Sequence, residues 1–214
     1  MTSLRPRAMP IHMHPSLFPA LAFPSFTPAP PSPRRYCLGI DPGLFGALAV
    51  VSSHRDGTEG FRVEEVFDTP ILETKSKAAS GKNSVDTAYL FLRLKELKAK
   101  YTGLFSYLER VSAMPKQGVS STFAFGEVFG ATKQALTCSE IPWELVTPQS
   151  WKGRLRVPAS PTQAIIARAD QMLPGNAAAW RGPRGGLLDG RAEAALIAVY
   201  GLLASPNAIT GPSG

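Results

Sequence analysis

Apolar positions come first as short runs and later as long periodic stretches. Residues 36–40 are mostly apolar and stop at Asp41-Pro42-Gly43, where Pro and Gly end a strand in a turn. Residues 47–52 form a second buried-type run, so the two predict a hairpin. Residues 62–67 alternate as a third strand. Residues 84–101 set Tyr89, Leu90, Leu92, Leu94 and Leu97 among Lys and Arg, an amphipathic helix with Ser84 or Asp86 as its cap. Residues 104–111 predict a fourth strand with Glu109 near its end, and residues 120–137 a helix apolar on more than one face. Residues 143–147 predict a fifth strand, and residues 161–173 and 191–203 two final helices. The stretch 181–186 is a Gly/Pro/Arg loop. Three strands followed by strand–helix alternation predict an α/β fold, a mixed five-stranded sheet flanked by helices.

Composition adds a boundary. Residues 1–35 hold nine of the 20 prolines and four arginines (Arg5, Arg7, Arg34, Arg35), and the first carboxylate of the chain is Asp41. Proline at that density blocks helices and ladders, so residues 1–35 are expected to be a disordered leader, residues 36–205 the folded domain and residues 206–214 a flexible tail. The formal charge is +7, from 23 basic and 16 acidic side chains. Without the leader's four arginines, 19 basic side chains stand against 16 acids, a net of +3. An acid-free, Arg-bearing leader suits an organelle transit peptide. The alternative is a microbial cytoplasmic protein whose leader is a plain disordered tail or comes from a wrongly placed start codon. No apolar run is long enough to span a bilayer, so no membrane partner is expected. Two cysteines, Cys37 and Cys138, make neither a disulfide framework nor a zinc site.

Four carboxylates carry the candidate chemistry. Asp41 and Glu109 each end a strand. Asp189 and Glu193 lie four apart at the start of the last helix, on one face. If the strands are neighbours and the helix crosses their ends, all four converge. Four acids in one place repel and need divalent cations to coexist. Oxygen-only ligands suit Mg²⁺ or Mn²⁺, and two such ions can serve phosphodiester cleavage. Each acid also has an ordinary explanation: Asp41 as a turn residue, Glu109 paired with Arg110 on an edge strand, Asp189 as a helix cap with Glu193 in the first turn.

The motifs add a resemblance. Leu38-Gly39-Ile40-Asp41-Pro42-Gly43 resembles the first strand of the RuvC-type Holliday junction resolvases, of the ribonuclease H-like superfamily. Tyr107-Leu108-Glu109-Arg110-Val111 is similar to their second acidic strand, and Asp189-Gly190-Arg191-Ala192-Glu193 to their closing acidic helix. Met114 to Ser121, Phe123-Ala124-Phe125-Gly126, Val128-Phe129-Gly130 and Val146-Thr147-Pro148-Gln149-Ser150-Trp151-Lys152 resemble the phage and bacterial RuvC-like branch, similar also to the chloroplast resolvase of plants and algae. The resemblance implies a ribonuclease H-like fold and a homodimer that binds a four-way DNA junction and nicks two strands symmetrically. It implies that Asp41, Glu109, Asp189 and Glu193 hold two Mg²⁺ ions, with Mn²⁺ as a substitute, and that Lys152 lies near the scissile phosphate. In several RuvC proteins the last two acidic or His positions lie three apart. Here Gly190 occupies the three-apart position and cannot ligate.

The flanking residues suggest a DNA surface. Lys116, Gln117, Gly118, Ser120 and Ser121 approach a helix N-terminus, which favours phosphate; Ser120 or Ser121 as a plain cap is the alternative. Phe123 and Phe125, two apart, cannot both face the core of one helix; one is available to stack on a base, and the alternative is that both are core or dimer contacts. Lys152, Arg154 and Arg156 form a basic cluster expected near the acids, with a plain solvated surface as the alternative. Arg181 and Arg184 suggest a DNA-facing loop, while Lys75, Lys77 and Lys82 either reach DNA arms or simply solubilise their loop. Gly126 and Gly130 fit a dimer seam or packing on the sheet, and Trp151 is expected to be packed. Two competitors stand beside the nuclease: a catalytically silent junction-binding architectural protein, and a nucleotide-binding phosphotransferase. The second needs two similar halves that about 170 folded residues cannot hold, so no nucleotide cofactor is expected.

Overall fold

The computed structural model describes residues 34–54, 60–72, 83–111 and 118–205. In chain order these form β1 (Arg34–Asp41), β2 (Ala47–His54), β3 (Arg62–Asp68), β4 (Ile71–Leu72), β5 (Ser84–Val85), α1 (Thr87–Lys100) and β6 (Phe105–Glu109). There follow α2 (Val119–Cys138), β7 (Trp143–Val146), α3 (Pro148–Leu155), α4 (Thr162–Met172), a 3-10 helix at Ala177–Trp180, and α5 (Asp189–Ala204). The main sheet has the order β3-β2-β1-β6-β7. The first three strands are antiparallel neighbours, while β6 runs parallel to β1 and β7 parallel to β6. This is the mixed five-stranded, helix-flanked sheet expected of a ribonuclease H-like fold.

Register assigns the faces. Cys37 lies opposite Phe105 and Gly39 opposite Tyr107, so odd-numbered residues of β1 and β6 share one face. Cys37, Phe105 and Tyr107 pack with the helices α3, α4 and α5. Leu38, Ile40 and Leu108 point the other way into a core with α1 and α2. Helix α5 is buried along most of its length, with Ala192, Ala194, Ala195 and Ala198 fully inside. Its backbone rests on β1. A Cβ on Gly39 would lie 2.0 Å from the Ala194 carbonyl oxygen and 2.4 Å from the Ala198 nitrogen. Only a residue without a side chain permits that approach.

Several boundaries differ from the sequence expectation. β1 begins at Arg34, so Arg34 and Arg35 join the sheet; the Arg35 guanidinium donates to the Ser205 carbonyl at 3.0 Å. Ser84 sits in β5, paired antiparallel with β4, leaving Asp86 as the α1 cap, where it accepts from the Tyr89 amide. Helix α3 was not expected. Thr147 caps it by accepting from Ser150 N, Pro148 fills its first position, and Trp151 and Leu155 are buried. α2 starts from Gly118 with no side-chain cap, so Ser120 and Ser121 lie inside the helix and do not cap it. No helix among the described residues is long and apolar enough to cross a membrane.

Candidate active site

The site starts where β1 and β6 end. Ile40 pairs with Leu108, and one residue further Asp41 and Glu109 leave neighbouring strands on the face that carries α5. Adjacent strands lie about 5 Å apart, so the two acids are forced together by register. Glu109 is nearly buried and its Oε1 accepts the Trp151 indole N–H at 2.7 Å. β6 lies inside the sheet, so an edge-strand pair with Arg110 is not what holds Glu109; the indole is. Burial pushes the Glu109 carboxyl above its ordinary value, the indole bond opposes that, Glu193 adds to it and Lys152 reduces it.

Helix α5 brings the other two acids. Glu193 Oε1 accepts from the Lys152 ammonium at 2.7 Å, with both side chains largely covered. Asp41 is pushed well up, first by burial, then by Glu193, Glu109 and Asp189 in that order, with Lys152 alone working downward. Asp41, Glu109 and Glu193 are thus the inner acids. Asp189 is exposed at the rim, where its Oδ2 accepts from Thr162 Oγ1 at 3.3 Å. The cap position of α5 belongs to Leu188, so Asp189 is a first-turn residue and not the cap. Gly190 faces inward. A Cβ there would lie 3.1 Å from Asp41 Oδ2 and 2.8 Å from the Phe45 carbonyl oxygen. The three-apart position therefore points at Asp41 but is too close to it to carry a ligand.

The donor set is all oxygen and short of positive charge, the chemistry a hard divalent cation requires. Three inner acids face one lysine, and their mutual repulsion falls on Asp41 and on Glu109. The side chains do not form a closed ion shell by themselves. Among the described residues no three acidic, histidine or cysteine side chains stand in ion-holding geometry. Instead Glu109, Glu193 and Asp189 each give one oxygen to Trp151, Lys152 and Thr162. No thiol competes as a nucleophile at the strand ends: Cys37 is buried and its thiol is pushed far up by that burial.

The candidate DNA-facing residues divide. Lys152 is in the site. Arg154, two positions on, leaves it: its guanidinium donates to the Leu203 carbonyl, about 15 Å along α5 from Glu193. The basic cluster is therefore split by the helix that carries it. Arg156 ends α3 in a left-handed conformation and is exposed. Arg184 is exposed in a tight turn closed by Gly182 N to Gly186 O at 2.8 Å. Arg181 is tied to Asp170 at 2.9 Å and is part of the scaffold. Phe123 is 78% exposed on the first half of α2. Phe125 is partly buried, its ring 3.5 Å from where a Cβ on Gly43 would stand, so it packs against the β1–β2 turn. Gly118 is exposed at the start of α2. Lys116, Gln117, Lys75, Lys77 and Lys82 lie outside the described residues, as do the side chains of Ser120 and Ser121. Gly126 and Gly130 are exposed with nothing within 4 Å of a Cβ, so they do not pack on the sheet.

Three contributions were not anticipated. Trp151 reaches Glu109 because α3 follows β7 directly, and the Thr147-Pro148 pair was the available sign of that helix. Arg191, between Asp189 and Glu193, pairs with Asp68 at the end of β3 through two bonds of 2.6 and 2.7 Å. Phe45, in the turn after Asp41, is 94% exposed.

No protein-family model matches the chain, and no curated protein matches it. Solved structures do. Thermus thermophilus RuvC in complex with a Holliday junction substrate aligns with a TM-score of 0.54 at 16% identity, over 81% of this chain and 98% of RuvC. A second Thermus thermophilus RuvC structure gives 0.53 at 17% identity, over 80% and 98%. The yeast mitochondrial Holliday junction resolvase Ydc2 gives 0.48 at 18%, over 77% and 76%. Nearly the whole of RuvC is thus accounted for by residues of this chain, and the chain has the ribonuclease H-like fold of RuvC.

Proposed function

We propose that the chain is a structure-specific endonuclease that resolves four-way DNA junctions by hydrolysing two symmetrically placed phosphodiesters. The observation that carries this is the meeting of Asp41, Glu109 and Glu193 with Lys152 at adjoining strand ends, on the fold of RuvC. Binding of DNA alone gains nothing from half-buried acids, which repel phosphate. Asp41, Glu109, Glu193 and, from the rim, Asp189 would hold two Mg²⁺ ions; Mn²⁺ suits the same oxygens. Bound there, the ions supply positive charge, an activated water and stabilisation of the leaving oxygen. The chain's own residues do the rest. Trp151 fixes one oxygen of Glu109, and Lys152 offers an ammonium to the phosphate as negative charge grows on it. Asp189, exposed beside Thr162, orients the attacking water.

Symmetric cutting calls for two copies, and the exposed Gly126 and Gly130 on α2 support a homodimer through that helix. The Arg-bearing leader supports an organelle address, and the likeness of the motifs to the chloroplast resolvase of plants and algae favours chloroplast before mitochondrion; the N-terminal sequence of the mature protein tests it. The function is tested by nicking of a synthetic four-way junction with and without Mg²⁺, against a duplex of the same sequence. Paired nicks that need both junction and cation are expected. Binding without nicking would instead mark an architectural protein.

A further inference from the structure

The turn that carries Asp41 also presents an aromatic ring to solvent. Phe45 is 94% exposed, while Pro42, Gly43 and Gly46 around it are buried. The ring's backbone is held firmly. Gly46 N donates to Gly43 O at 3.1 Å, Thr69 N donates to Gly46 O at 2.9 Å, and the Phe45 carbonyl packs against Gly190 in the first turn of α5. A fixed turn therefore displays a bare phenyl ring at the lip of the acid cluster. Leaving such a ring in water forgoes its burial free energy, and this ring stands on the turn that follows Asp41, beside the first turn of α5, the helix that carries Asp189 and Glu193. Phenylalanine has no charge and no hydrogen-bonding group. It does not hold phosphate, and what it offers is a flat, largely apolar face suited to stacking. The flat apolar partner that accompanies a phosphodiester at a carboxylate–lysine site is the nucleobase attached next to it.

We propose that Phe45 stacks on a nucleobase flanking the phosphodiester to be cut and thereby sets the nucleotide preference at the cleavage point. The proposal rests on the endonuclease reading above. Phe125, packed beneath the same turn at Gly43, supports the turn from below, so the ring meets the base without the turn yielding.

The test uses the full chain, four-way junctions of varied core sequence, and junctions carrying 2-aminopurine beside the mapped cut. Binding is read in a Glu109→Gln background and cleavage in the otherwise unchanged protein. Phe45→Ala is expected to slow cleavage at the preferred core about tenfold or more, to flatten the preference among cores, and to abolish the 2-aminopurine fluorescence change. Phe45→Trp is expected to keep all three, and the melting temperature of either variant to stay as it was. Unchanged rate, preference and fluorescence in Phe45→Ala would overturn the proposal while leaving the endonuclease in place. A change of oligomeric state with unchanged fluorescence would overturn it too, assigning the ring to a second copy of the chain. A wild-type protein that neither binds nor nicks junctions overturns both readings.

Discussion

The indole N–H of Trp151 donates to Glu109 Oε1 at 2.7 Å, joining a fully buried side chain of α3 to the acid that ends β6, 42 residues earlier. The next residue, Lys152, grips Glu193. One short helix therefore sets the orientation of two of the inner acids. Trp151→Phe keeps most of the packing and removes the donor. A lost hydrogen bond to a buried charged group costs about 1–3 kcal/mol. Denaturant melts of Trp151→Phe should show a loss of that size, with slower nicking.

Glu109→Gln tests the same acid differently. The amide oxygen still accepts the indole N–H, so the fold and junction binding should survive. Nicking should fall more than about 100-fold, because the position loses its charge and its strength as a cation ligand. Binding by gel shift and nicking on one junction check both halves. Full cleavage by this variant would sink the site assignment.

Asp41 predicts a pH dependence of stability. Its carboxyl is raised in the folded chain, so between the unfolded value of about 4 and the raised folded value the native state binds more protons. Stability from this group is then complete below pH 4 and is lost as the pH climbs through the raised value. Asp41→Asn removes the penalty. Without divalent cations it should melt higher than the wild type at pH 8, with the gap closing toward pH 4. Added Mg²⁺ should raise the melting temperature of the wild type more than that of the variant. Melting curves across pH, with and without cation, check the sign.

Two glycines separate fold from assembly. Gly39→Ala drives a methyl to within 2.0 Å of the Ala194 carbonyl on α5, a backbone collision that cannot be relieved by a rotamer. It should cost about 3 kcal/mol or more, measurable as loss of soluble folded protein. Gly130→Ala meets nothing within 4 Å and gains helix propensity of somewhat under about 1 kcal/mol. It should leave the monomer fold intact and weaken a dimer built on α2, which sedimentation checks.

Asp68 and Arg191 fasten the start of α5 to the end of β3. Asp68 is more than half exposed, so Asp68→Ala should cost no more than about 1 kcal/mol of stability. Its larger effect should be on nicking, since Arg191 stands between Asp189 and Glu193 and their placement depends on how the helix begins. Stability and rate measured on the same variant separate the two effects.

Much of this was legible in the residues. Alternation and turn chemistry marked β1, β2, β3, β6 and β7, and the helical period marked α1, α2, α4 and α5, because burial on one face is a local property of the pattern. The positions of Asp41 and Glu109 at strand ends, and of Asp189 and Glu193 on one face of a helix start, marked them as candidates, since strand ends and a helix start are themselves local features. The contacts that orient the acids were not legible. Trp151 meets Glu109, Arg154 turns away to Leu203, and Asp189 sits at the rim with Thr162. Each pairing depends on the direction of a helix whose position is fixed by distant partners.

The sequence by itself determined which residues are acidic, which runs bury and where the chain must turn. Tertiary structure decided which of the four acids share the interior, because Gly39 and Gly190 let α5 settle onto β1 and that contact sets the distance from each carboxylate to Asp41. It also decided that Phe45 stands in solvent and Phe125 does not. Two phenylalanines look alike in a sequence, and only the packing around their backbones distinguishes a ring that fills the fold from one held out at its lip.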